Sequence, residues 1–316
     1  MSIKFHLPSF TTHYKMNMLF LEMFRNCPQF MRDNIKIASF FDSFPPSVWS
    51  GGRTMHQVGL CDETFIDSVI RNLNGMGIPL RFTFTNPVLR KEHLGDRFSN
   101  MLLKKASGGL NEVIVVSPLL EEYIRKEYPE YKITSSTCKR LDDIDSFNEE
   151  LSKPYSMVVL DYDLNNRYDL LEKIADKKRT EILINPSCTP RCPRRKSHYA
   201  STGFVNIAFA EYVKKRSNKD FDPMSVPRPS EMKIGHCPTV DYSLYKIKNF
   251  ETFITADDLY EKYVPMGFEH FKIEGRTASM LSLIEHYIYY TVKPEQQAYA
   301  RFMFYNNLRN NGMMRI

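Results

Sequence analysis

Six cysteines and a single tryptophan occur among the 316 residues, and no apolar run approaches the roughly 18 residues of a membrane-spanning helix. The apolar stretch 16–24 is short and broken by Glu22. Residues 1–12 lack a basic segment followed by an apolar run and a small-residue cleavage site, so no secretion signal is visible. These absences predict a cytoplasmic protein without a membrane span. In that reducing compartment the cysteines are expected as free thiols or metal ligands, not structural disulfides. No repeat of solenoid period and no low-complexity tract occurs. No G-x-G-x-x-G follows the first predicted strand, which leaves the dinucleotide-binding open sheet without support. The sequence also lacks H-E-x-x-H, and no Ser-His-Asp or Cys-His order can be assigned, so a protease reading gains little.

With 42% hydrophobic and 25% charged residues, the chain has the composition of an ordered globular protein. The net charge of +6 is modest. It suits an RNA or an anionic small molecule as partner, and equally a solvated surface on which acids and bases are mixed.

Short Val/Ile/Leu-rich runs alternate with helical patterns. Strands are expected at 35–41, 48–50, 80–85, 112–116, 132–135, 157–160, 181–184, 252–254 and 270–273. Helices are expected at 63–74, 97–105, 119–126, 146–151, 168–176 and 256–263, with a last helical region at 278–308 broken near Pro294. Continuous apolar strands imply a parallel sheet buried on both faces. About eight such units fit a closed α/β barrel of the (β/α)8 type better than an open doubly wound sheet. The expected organisation is an N-terminal helical segment (1–34), the barrel (35–292) and a C-terminal helical tail (293–316). Residues 218–229, rich in Pro, Asp and Ser, read as a surface excursion.

The stretch 185–199 begins where a predicted strand ends, at the barrel mouth that carries active sites in this architecture. It contains Cys188 and Cys192, stiffened by Pro186, Pro190 and Pro193. With Cys237 before the next unit, three thiolates would point at one region, a pattern that favours zinc or iron–sulfur binding. Cys138, Cys61, His198 and His236 are candidates for a fourth ligand; scattered buried thiols are the plainer alternative. Cys27 and Trp49 read as core packing. The basic run Arg194, Arg195 and Lys196 is either a solvated loop or an anion-binding rim that favours thiolate over thiol.

Lys272, Glu274 and Arg276 close the last predicted strand, where charges are costly to bury unless paired, so they form an ion-pair network or a ligand site. Arg53, after Gly51 and Gly52, is a candidate for binding an anionic substrate. Asn86 and Asn185 end strands and either contact a ligand or cap a turn. Asp161 is a general-base candidate or a helix cap. The aromatics of 287–290 and 302–305 read as helix core.

The segments 256–259 and 266–276, the latter ending Lys272-Ile273-Glu274-Gly275-Arg276, resemble the hallmark of the collagenase-like peptidase family, peptidase family U-32. Residues 50–53, 135–137, 160–165 and the loop with Cys188, Cys192, Arg194 and His198 are similar to further elements of its short, single-domain branch. The resemblance spans roughly residues 35–290. It implies a barrel with a cysteine-bound four-iron four-sulfur (4Fe-4S) cluster and a part in oxygen-independent hydroxylation of an RNA base or an aromatic ring, with a paralogous protein as a possible partner. Cys188, Cys192 and Cys237 would hold the cluster, either as a three-ligand cluster with an open iron or completed by Cys138 or Cys61. Arg53, Arg194, His198, Glu274 and Arg276 would line the pocket. A peptidase of the same family and a barrel with structural zinc are the alternatives.

Overall fold

The computed structural model describes residues 2–215, 220–229 and 244–314. Eight strands form one closed parallel barrel in sequence order: β1 (Ile3–Pro8), β2 (Ile35–Asp42), β3 (Leu80–Phe84), β4 (Glu112–Val115), β5 (Lys132–Ser135), β6 (Met157–Val159), β7 (Thr180–Leu183) and β8 (His270–Lys272). β8 pairs with both β7 and β1, which closes the ring and leaves no edge strand. The surrounding helices are α1 (Tyr14–Asn26), α2 (Glu63–Gly75), α3 (Arg97–Lys105), α4 (Pro118–Glu127), α5 (Ile144–Ser152), α6 (Tyr168–Leu171), α7 (Arg195–Lys215), α8 (Leu244–Ile247) and α9 (Ala256–Asp258), which runs into a π turn over Leu259–Tyr263. α10 (Met280–Thr291) and α11 (Gln297–Asn310) form the C-terminal extension, interrupted near Pro294 as the sequence predicts.

Local chemistry sets the helix starts. Asp62, Asp96, Ser117, Asp143 and Ser279 each accept a hydrogen bond from a backbone N–H in the first turn of α2, α3, α4, α5 and α10. Each such cap is worth about 1 kcal/mol. Apolar side chains of the strands and of the helices inward from these caps make one continuous core.

The barrel interior is not purely apolar. Arg81 of β3 is fully buried and pairs closely with Glu181 of β7. These strands are not neighbours, so the contact crosses the inside of the barrel. Arg81 also reaches Thr134 at 2.9 Å and Glu112 at 3.2 Å. Glu181 further meets Lys272 at 3.1 Å and His6 at 3.7 Å. Multiple partners around one carboxylate are the condition under which buried ions are tolerated.

Three expectations need correction. The segment 1–34 is not a helical preface: it supplies β1 and α1, the first barrel unit. Residues 48–50 form no strand; 48 and 49 lie in a turn. Residues 252–254 form no ladder, although Ile254 N–H donates to Ile184 O at 3.0 Å. α7 was not expected: Pro193 ends the loop, and the helix starts two residues later.

Candidate active site at the mouth of the barrel

Residues at or beyond the C-terminal ends of seven strands surround a cavity of about 460 Å³. Its wall takes Phe41 and the loop after β2, Thr83 and Thr85 from β3, Ile114 from β4, and Ser136 to Cys138 after β5. Tyr162 follows β6, Ser187 and Cys188 follow β7, and Glu274 to Thr277 follow Lys272 of β8. α7 closes one side with Arg195, His198, Tyr199 and Thr202.

The loop after β2 reaches the wall because of its two glycines. A Cβ on Gly51 would lie 2.1 Å from Thr85 O, and Gly52 has φ +71°, where other residues are strained. This close approach places Arg53 against Glu274 in a tight ion pair. Glu274 is fixed from the other side: Ser187 N–H and Oγ donate to its carboxylate at 2.9 and 3.2 Å. Asn185 clamps its backbone, accepting from Glu274 N–H at 2.6 Å and donating to Glu274 O at 3.1 Å. Arg276 donates to Thr83 Oγ1 at 2.7 Å and to Gly51 O at 2.9 Å. The mouth therefore brings Arg53, Lys272, Glu274, Arg276, His198, Cys138 and Cys188 into one cavity.

Other candidates stand elsewhere. Asn86 is buried and structural: it donates to Val48 O and Gly203 O at 2.9 and 3.2 Å and accepts from Val88 N–H. Asn185 positions Glu274 and is not among the lining residues. Asp161 is buried behind the wall, and burial holds its carboxyl above the usual carboxylate range against the lowering pull of a backbone N–H, Arg140 and Arg195. Held at 3.1 Å from Arg140 and 3.2 Å from Arg195, it is their counter-ion, and it takes the cap role the sequence left open by accepting from Asp163 N–H at 3.0 Å. Arg194 is exposed and off the cavity. Its neighbour Arg195, 1% exposed, is the functional-looking member of the basic run. It meets Asp161 and Asp163 and lies 4.0 Å over the Tyr162 ring. The solvated-loop reading thus fails at Arg195 and holds at Arg194. No sequence signal separates the two, because the start of α7 decides which one turns inward.

The thiols do not take the state the basic run suggested. Burial raises Cys138, against Ser136 and Arg276, and raises Cys188, against Arg195, so both favour the thiol at neutral pH. Cys61 lies off the cavity and is pushed up to about 12 by burial, with Asp42 and Asp62 adding to the rise. Cys192 is half-buried and outside the wall. Cys237 and His236 lie outside the described residues. Among the described residues no three His, Cys, Asp or Glu side chains converge as a metal site. Those thiols alone therefore fall short of a cluster's ligand set, and no chemical step is derived through one. His198 is lowered by burial and by Arg53, so it is neutral at neutral pH.

No family model matches the chain, and no curated protein sequence matches it. A solved structure described as that of the U32 peptidase Mk0906 is similar over 87% of this chain and 94% of that chain, with 13% identity and a TM-score of 0.49. Among the described residues no helix is long and apolar enough to cross a membrane.

Proposed function

We propose that this protein is an enzyme acting on a small anionic molecule held at the barrel mouth. One observation carries the reading: Arg53, Lys272 and Arg276 line a single cavity in which Glu274 is the one carboxylate among the described residues; Glu274 pairs with Arg53, and Glu181, paired with Lys272, lies behind the wall. Cations that outnumber the carboxylates of the cavity wall, each held in place by its own partners, form a pre-organised anion site.

The test is thermal stabilisation and calorimetry with a panel of small carboxylates and phosphates. At least one is expected to bind, and Arg53→Met is expected to weaken it roughly 10–100-fold, the loss of one charge-assisted contact of about 1.5–3 kcal/mol. Failure of every anion to bind would contradict the proposal.

A second reading is iron–sulfur-assisted, oxygen-independent hydroxylation of an RNA base or aromatic ring. It is favoured by Cys138 and Cys188 opening into the same cavity, with Cys192 close enough to raise Cys188. Iron and sulfide analysis of protein purified without oxygen decides it. About four irons per chain would support it; about one zinc or no metal would remove it.

A further inference from the structure

Lys272 is 8% exposed. Its Nζ lies 3.1 Å from Glu181 Oε1 and 4.0 Å from the centroid of the Phe41 ring, and both Lys272 and Phe41 line the cavity. The charged and titratable groups that act on it are Glu181 from β7, Arg81 from β3, His6 from β1, Arg276 beyond β8 and Cys138 after β5, and Arg53 and Glu274 line the same cavity. Burial drives the ammonium down. Glu181 pulls it back and Arg81 and Arg276 push it further, leaving it at about 8. An ordinary lysine titrates near ~10.4, so near pH 8 the neutral fraction of Lys272 is roughly 100-fold larger. A role limited to neutralising Glu181 would not require Lys272 to line the cavity, since Arg81 already pairs with that carboxylate.

We propose that Lys272 is a carbonyl-reactive amine that forms a Schiff base with a small aldehyde or ketone whose anionic end is held by Arg53 and Arg276. This rests on the mouth being an anion site. The lone pair of the neutral amine forms the C–N bond to the carbonyl carbon while the C=O π pair moves to oxygen. That oxygen takes one proton from the nitrogen and one from solvent, and leaves as water. The product is a protonated imine, whose positive charge keeps Glu181 as counter-ion. Phe41, Ile114 and Leu183 make the wall beside it apolar, which limits the water available to reverse the step.

The full-length protein is incubated with glyoxylate and sodium cyanoborohydride between about pH 6.5 and 9.5, and the adducts are mapped by peptide mass spectrometry, with glyoxylate binding followed by thermal stabilisation. The expected result is one carboxymethyl group on Lys272, with a rate half-maximal near the value of about 8. Labelling is suppressed by inorganic phosphate and absent in Lys272→Arg and Lys272→Gln. Site mapping in the unmodified sequence keeps the test valid if a variant fails to fold. Stabilisation by glyoxylate with Lys272 unlabelled overturns the Schiff base and leaves the anion site standing. Neither stabilisation nor labelling overturns both. Labelling spread over surface lysines at an ordinary lysine's pH profile also overturns the Schiff base.

Discussion

Arg195 sits with its guanidinium 3.2 Å from Asp161 and 2.9 Å from Asp163, and Arg140 shares both carboxylates at 3.1 and 2.9 Å. Removing one partner of such a buried set leaves charge without compensation, which costs about 3–5 kcal/mol. Arg195→Met is therefore expected to destabilise by that amount in urea unfolding, while Arg194→Ala, one residue away in solvent, stays within about 0.5 kcal/mol. Equal effects would contradict the burial assigned to Arg195. The charges at the end of β8 read as an ion-pair network or a ligand site, and the structure pairs two of them, Lys272 with Glu181 and Glu274 with Arg53. For Asn86 and Asp161 the sequence offered a cap beside a ligand role and could not choose, since an amide or carboxylate looks the same there whether it meets a ligand or a backbone group; both do cap, accepting from Val88 N–H and Asp163 N–H.

The helix α7 shows what hides an element from a sequence reading. Its buried face is Tyr199, Ala200, Ser201, Thr202, Gly203, Val205, Asn206, Phe209 and Ala210, small and polar enough to leave no apolar stripe. Gly203 is where it meets the loop after β3: a Cβ there would lie 2.3 Å from Asn86 Oδ1 and 2.9 Å from Val88 Cγ2. Gly→Ala in a helix ordinarily gains up to about 1 kcal/mol. Here the overlap outweighs that gain, and Gly203→Ala is expected to lower stability by about 1–3 kcal/mol. A stabilised variant would show that α7 packs less closely. β1 was missed for a related reason. Lys4 and His6 interrupt its apolar residues because His6 faces the charged interior, whereas β3 to β7 read almost residue for residue from their apolar runs.

At the scale of the whole molecule, burial lowers six of the described histidines, and His286, His270 and His6 are lowered furthest. His286 on α10 is fully buried with neither ring nitrogen hydrogen-bonded among the described residues, and burial lowers it to about 4. Burial first, then Lys4, lowers His270 to about 4, and burial lowers His6 well below its usual range. Unfolded histidines take a proton near ~6.5, so between that pH and about 4 the unfolded state binds more protons and stability falls as pH falls. His286→Leu is expected to raise the melting temperature at neutral pH and to remove up to about 3 kcal/mol of this acid dependence, leaving the part due to His6 and His270. An unchanged pH profile would contradict the buried neutral state. The same barrel that excludes water from these rings gathers Arg53, Lys272 and Arg276 at the mouth. The most direct measurement of that site is a crystal structure of the protein soaked in glyoxylate or inorganic phosphate. The prediction is an anion bound between Arg53 and Arg276 with Lys272 beside it. Density only for water in this cavity, with the anion elsewhere, would contradict the account.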